Sequence, residues 1–274
     1  MNLRILLLLS LLLPVAPALA GVPASPATPL AIGDTFTIAS EALGEVRRIN
    51  VYRAPGYGED PDAPLPVLYM PDGGLGEDFL HVAGLVQVSV MNGTMRPFML
   101  VGIENTERRR DLTGPTSNPE DRTIAPRVGG SAAFRAFLRD ELMPAIRARY
   151  ATTGETAIVG ESLAGLFVLE TFVREPGLFD TCVAIDPSLW WNDLGLLDEL
   201  DTLLAGKPAL RNTVFIASSN EPGMAGAAAR FADALRVAAL PGVQVHYAPM
   251  PEEGHGTIYH PAALRAFRLL FAPR

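Results

Sequence analysis

The chain has 274 residues, 22 Lys and Arg against 30 Asp and Glu, a formal net charge of −8 and a single cysteine, Cys182. One cysteine excludes an intramolecular disulfide and a cysteine-pair zinc site, and the acidic balance excludes a general nucleic-acid binder, which needs an excess of Lys and Arg facing phosphates. The length suits one large domain able to bury roughly 70–75% of its unfolded surface without covalent staples. Residues 1–20 read as a secretory signal peptide. Asn2 and Arg4 lead into an apolar run from Ile5 to Leu13, broken only by Ser10, and Ala18-Leu19-Ala20 supplies the small residues a signal peptidase accepts. The run is short of the ~20 residues a spanning helix needs, and a retained anchor is the second reading of it. The expectation is therefore export to the periplasm or beyond, with no stable membrane insertion after cleavage. Residues 21–31, rich in Pro, Ala, Ser and Thr, cannot bury a face and are expected to form a flexible leader to a domain over 32–274.

Within that domain, Phe36 to Ala39 and Val46 to Tyr52 read as short strands, and Gly56 to Pro64 as a turn-rich connection into a buried strand at Pro66 to Met70. Further apolar runs follow at Phe98 to Val101, Thr156 to Val159, Thr181 to Ile185, Thr213 to Ile216 and Val243 to Tyr247. Helical patterns lie between them. Ser131 to Tyr150 places Phe134, Phe137, Leu138, Leu142, Ile146 and Tyr150 on one stripe, with Ser131 as its expected cap; Ala225 to Ala239 and Ala262 to Phe271 are the others. This alternation predicts an α/β fold with a mostly parallel central sheet and helices on both faces. Residues 104–130, with Arg108-Arg109-Arg110-Asp111 and three prolines, make too long a connection to be an ordinary loop, and they follow a strand toward the ligand-binding edge of such a sheet.

The sharpest chemical signal is Thr156-Ala157-Ile158-Val159-Gly160-Glu161-Ser162-Leu163-Ala164-Gly165. A β-branched run breaks at a serine between small residues and then becomes helical. Such a strand–turn–helix projects a hydroxyl from the sheet edge at a helix start, and Gly160 and Ala164 are small because larger side chains would collide there. Ala164 stands where the Gly-x-Ser-x-Gly pattern has its last glycine. The plainer reading of Ser162 is a helix cap.

A serine nucleophile needs an imidazole, and the order expected in this fold is serine, acid, histidine. His255, in the loop Pro251 to Gly256 between the last strand and the last helix, fits that station; His81 and His246 fall within a helical and a strand pattern, and His260 is the weaker neighbour. For the acid, Glu221 follows the penultimate strand and is preferred over Asp186, with Asp193 behind both and a Ser–His dyad still open. The oxyanion is expected on the Leu163 N–H and on a second backbone donor in Asp72-Gly73-Gly74, with Gly74 preferred over Gly73. No metal-ligand spacing and no phosphate-loop pattern occurs, so neither a metal nor a nucleotide cofactor is implied.

Taken together, these segments resemble the putative-esterase group of α/β-hydrolases, which includes siderophore (enterochelin) esterases, S-formylglutathione hydrolases and mycolyltransferases. The likeness runs through VLYMPDGG, VGIENTERRRDLTGP, FLRDELMPAIRARY, GESLAG, IDPSLWW and EEGHGT, and is greatest on the siderophore-esterase side. It implies an α/β-hydrolase fold, Ser162 as nucleophile and His255 as base, and it puts Arg110, Asp111 and Trp190 near the substrate. Relatives often carry Ser where this chain has Asp186, which leaves the acid open. The expected activity is serine-based cleavage of a small-molecule carboxylic ester. Two other readings are acyl transfer by the same machinery and a catalytically idle binding protein on the fold.

Overall fold

A computed structural model describes residues 26–54, 60, 62–205 and 211–273. The signal-peptide reading of residues 1–20 lies outside them, as do residues 21–25 of the leader. The chain divides into two units after Ala31; of the first, residues 26–31 are described and carry no helix or strand.

The second unit is built on one sheet of β1 (Asp34–Ser40), β2 (Glu45–Arg53), β3 (Leu65–Pro71), β4 (Met99–Ile103), β5 (Thr152–Glu161), β6 (Thr181–Ile185), β7 (Asn212–Ser218) and β8 (Val243–Pro249). Their order is β1-β2-β4-β3-β5-β6-β7-β8. β2 pairs antiparallel with β1 and β4, and every pairing from β4 through β8 is parallel. The strand runs read from the sequence all fall within these strands, apart from Phe98 at the edge of β4.

Helices cover both faces: α1 (Phe79–Met91), α2 (Arg108–Asp111), α3 (Ser131–Phe137), α4 (Met143–Arg149), α5 (Leu163–Arg174), α6 (Trp191–Asp198), α7 (Leu200–Leu204), α8 (Pro222–Ala238) and α9 (Tyr259–Leu270). Because side chains alternate along a strand, the parallel strands feed two cores at once. Ile158, Cys182 and Val214 join one core with α3 to α8, whereas Val159, Val183 and Phe215 join another with α1 and α9. α5 is buried from Leu163 to Val173, which explains why its sequence is apolar all round instead of striped. Its buried Glu170 is paired to Arg135 at 3.1 Å and to Arg174 at 3.0 Å.

The helix predicted over Ser131 to Tyr150 is not continuous. A π turn at Leu138–Leu142 separates α3 from α4, and Pro144 in the first turn of α4 gives the reason, since it has no N–H to return to an i−4 carbonyl. The wide turn also suits the spacing of four in Phe134, Leu138, Leu142 and Ile146, all buried, which a uniform 3.6-residue helix would rotate off one face. Ser131 is not the cap expected of it: Gly130 holds that position.

Burial pushes the Cys182 thiol up to about 12, with the Asp180 charge adding to the shift. Cys182 should give no reaction with an aromatic disulfide reagent in native buffer and full reaction after unfolding; rapid labelling of the folded protein would contradict this packing.

Residues 104–130 are ordered by polar contacts. Arg47, fully buried in β2, donates to Glu45 (3.0 Å), Thr106 Oγ1 (2.9 Å), the Glu104 carbonyl (2.9 Å) and Asp111, and lies over the Phe134 ring. Farther on, the Asn192 side-chain oxygen accepts from the Ser117 N–H at 2.7 Å, and Trp191 Nε1 donates to the Gly114 carbonyl at 2.9 Å. The segment is thereby pinned between β2 and the start of α6.

Candidate active site

At the carboxyl end of β5 the chain turns abruptly into α5, and Ser162 occupies the turn with φ 60° and ψ −121°. A non-glycine residue there carries strain of about 1–3 kcal/mol, maintained only by the surrounding packing. The packing is visible: Ser162 N–H donates to the Ile185 carbonyl, and the Ser162 carbonyl accepts from the N–H groups of Leu166 and Ser188, each at 3.0 Å. A Cβ on Gly160 would stand 2.7 Å from that of Ala164 and 2.6 Å from its carbonyl carbon. The spacing of small residues is thus a steric requirement of the turn. Gly160→Ala should lower the urea midpoint and the esterase activity together; wild-type values for both would contradict the requirement.

Ser162 Oγ lies 3.1 Å from His255 Nε2, and His255 Nδ1 lies 2.7 Å from Asp186 Oδ2. His255 arrives from the loop between β8 and α9. Asp186 directly follows β6, at φ 43°, its N–H donating to the Ala217 carbonyl of β7. The Asp186 side chain is fully buried and also accepts from the Ser219 N–H and Ser219 Oγ, both at 2.8 Å. These donors hold the carboxylate in one orientation, an arrangement suited to fixing an imidazole.

Glu221, preferred from the sequence as the acid, is not brought to the imidazole. It is exposed at the cap of α8, and its N–H donates to Ser219 Oγ at 3.2 Å. The physical reason is that β7 ends at Ser218, and Ser219, the next residue, turns back to Asp186 before the chain reaches Glu221. Asp193 pairs with Asn118 instead. His81 meets Asp78 at 3.3 Å and packs on Tyr259, while His246 lies in β8 and His260 in α9.

Leu163 opens α5, so its N–H has no acceptor within the helix and is available to a ligand. Gly74 differs: its N–H donates to Glu77 Oε2 at 2.7 Å, so it is engaged, contrary to the free donor expected of it. Gly73 N–H is likewise taken by the Ile103 carbonyl at 2.9 Å, and a Cβ on Gly73 would collide with the β4 backbone.

The arginine run is also committed. Arg108 grips Asp72 with two bonds, at 2.6 and 2.8 Å. Arg110 binds Glu45 and Asp111, and lines a cleft of about 630 Å³ with Thr116, Arg122 and Arg127. Trp190 caps the start of α6 with 41% of its surface exposed, next to the buried Trp191. Neither Arg110 nor Trp190 shares a hydrogen bond, ion pair or ring contact with Ser162, His255 or Asp186.

Some neighbours of Ser162 and His255 went unnoticed in the sequence. Ser188 Oγ is 3.2 Å from Ser162 Oγ, Ser219 orients Asp186, and Glu161 Oε1 is 3.3 Å from His255 Nδ1. Glu161 sits inside the GESLAG motif, and a polar residue ending a buried strand was its available signal. Among the described residues no group of three or more His, Cys, Asp or Glu side chains is arranged to hold a metal ion, and no helix is long and apolar enough to cross a membrane.

This elbow, imidazole and buried carboxylate at the edge of a mainly parallel eight-stranded sheet define an α/β-hydrolase. The chain belongs to the Putative esterase family, whose model matches residues 40–223. Among its relatives, ferri-bacillibactin esterase BesA of Bacillus subtilis is 29% identical over 234 residues, 78% of this chain and 81% of that protein. A siderophore triacetylfusarinine C esterase of Aspergillus fumigatus is 35% identical over 105 residues, covering 36% of this chain and 34% of that one. Among solved structures, an IroE-like serine hydrolase from Shewanella oneidensis superposes with a TM-score of 0.78 at 28% identity, covering 87% of this chain and 80% of that chain. Siderophore hydrolase EstB from Aspergillus nidulans, at 20% identity and a TM-score of 0.77 over 92% of this chain and all of that one, shares the fold. Family and relatives together support a carboxylic ester hydrolase.

Proposed function

We propose that this protein is an exported serine esterase that opens siderophore-type esters through an acyl-enzyme. The observation that carries the reading is the continuous relay Ser162 Oγ, His255 Nε2, His255 Nδ1, Asp186 Oδ2 at 3.1 and 2.7 Å. In this mechanism Ser162 attacks the ester carbonyl while His255 takes its proton. Asp186 holds the ring and stabilises the imidazolium, and the Leu163 N–H receives the developing oxyanion. Collapse expels the alcohol, protonated by His255, and a water activated by the same imidazole then releases the acid.

The substrate class is supported by what the named relatives hydrolyse, and by the partly exposed Trp190 ring, which offers a face to an aromatic acyl group. Export is supported by the charged start, apolar run and Ala-Leu-Ala of residues 1–20. A panel of esters tests the function, with a catecholate trilactone beside simple nitrophenyl esters. The reading expects the trilactone to be cut with the higher kcat/KM. Turnover of the simple esters with the trilactone untouched would overturn the substrate class, and a folded protein inert to every ester would overturn the activity.

A further inference from the structure

We propose that Glu161 is a second carboxylate partner of His255, a positioning residue that faces Nδ1 alongside Asp186 and stabilises the imidazolium when Ser162 gives up its proton. The inference rests on the serine-esterase reading above. Its geometry is independent of that reading: Glu161 ends β5, one residue before the strained turn, and its Oε1 stands 3.3 Å from His255 Nδ1. Asp186 Oδ2 takes the short bond to the same nitrogen at 2.7 Å. Two carboxylates therefore face one ring nitrogen.

The Glu161 side chain is 15% exposed, so its charge is only weakly screened by solvent. Other groups face it from each element packed nearby. Arg108 of α2, with its Nε and Nη2 on Asp72 at 2.6 and 2.8 Å, and His255, at 3.3 Å, are the two cations that favour the Glu161 charge. Asp72 in the turn after β3 and Asp78 at the start of α1 repel its charge, and the Tyr259 hydroxyl of α9, buried without a partner, feels the same acidic group. Burial, reinforced by Asp72 and Asp78 and opposed by His255 and Arg108, pushes the Glu161 carboxyl up to about 7. Glu161 and His255 Nδ1 thus stand close enough for the charge on one to act on the proton of the other. A carboxylate held there has a chemical consequence that an isosteric amide lacks: it favours the charged ring, the state reached in the transition state.

Removing the anion disfavours imidazolium, so the neutral, attacking form of His255 persists to lower pH. In Glu161→Gln the acidic limb of kcat/KM is expected to move down by about half a pH unit and to become a single titration, with the plateau falling about tenfold. In an Asp186→Asn background, the same change should cost at least about tenfold more than it does in the unmodified protein, because Glu161 is then the only carboxylate left facing Nδ1. A limb coincident with the wild type, together with additive losses, would overturn the proposal and leave Glu161 as packing. The serine-esterase reading is judged separately by fluorophosphonate labelling of the unmodified protein. No adduct on Ser162 overturns that reading, whereas an adduct with coincident profiles overturns only the role of Glu161. Should Glu161→Gln fail to fold, ¹⁵N NMR titration of the histidine rings in the unmodified chain carries the test: a two-step curve for His255 is expected, and a single step contradicts it.

Discussion

Asp186→Ala is expected to lower kcat by about 10³ with little change in KM, while Glu221→Ala leaves kcat within about twofold. The difference follows from where the two carboxylates stand. Asp186 is fully buried and holds the imidazole through a 2.7 Å bond, so its loss frees the ring to take the wrong tautomer and removes the charge that favours imidazolium. Glu221 is exposed at a helix cap, and its charge is spent on solvent. The buried Ser219 N–H and Oγ lose their acceptor in the alanine variant, so a stability cost of about 1–3 kcal/mol accompanies the kinetic one. Asp186→Asn separates the two, because it keeps an acceptor for Ser219 and still removes the charge. Equal and mild effects of Asp186→Ala and Glu221→Ala in single-turnover assays would indicate a Ser162–His255 dyad.

The largest effect on stability is expected at Arg47. Its guanidinium is fully buried and joins β2 to residues 104–111 through Glu45, Thr106, Glu104 and Asp111. Removing Arg47 leaves Asp111 and Glu45 with Arg110 as their remaining cation and empties the buried space of the side chain, so Arg47→Ala should cost about 3 kcal/mol, read as a fall in the urea midpoint with an unchanged slope. The exposed pair Arg236–Asp233 is the natural control, since opening it by Arg236→Ala should cost under about 1 kcal/mol. The same network gives a pH signature. The bond from Arg110 holds Glu45 down to about 2, followed by weaker bonds from Thr106 and Arg47 and opposed by burial. A depressed carboxylate stabilises the fold above its unfolded value of about 4.5 and loses that contribution as the pH falls toward 2. Glu45→Gln should therefore flatten the stability profile in that window. A loss at Arg47 no greater than the control would show that the segment is held by apolar packing alone.

The parts of the molecule that local chemistry dictates were legible in the sequence. Alternating apolar runs gave the strands, and Gly160, Ser162 and Ala164 gave the elbow, because each requirement lies within a few residues. The position of His255 was readable for a similar reason, being a loop residue between two recognisable elements. The acid was not, since its choice depends on Ser219, the residue after β7, reaching across to Asp186 after β6, a contact between residues 33 positions apart. Gly74 illustrates a related limit: a glycine-rich turn signals close backbone approach, yet the side chain of Glu77 decides which N–H is engaged. In the helix from Ser131 the apolar stripe was visible while its π turn was hidden, although Pro144 and the strict spacing of four carried the clue. The arginine run shows the same thing in charge: ligand-like from its composition, it is occupied by Asp72, Glu45 and Asp111 once the chain is folded.

In the proposed mechanism the Ser162 hydroxyl, activated by His255, forms the covalent intermediate. Intact-mass and peptide analysis after exposure to a fluorophosphonate tests it most directly. One adduct per chain is expected, located on Ser162, absent in Ser162→Ala and slowed by about 10³ or more in His255→Ala. A folded, ester-cleaving protein that takes up no label, or carries it on another residue, would contradict the account.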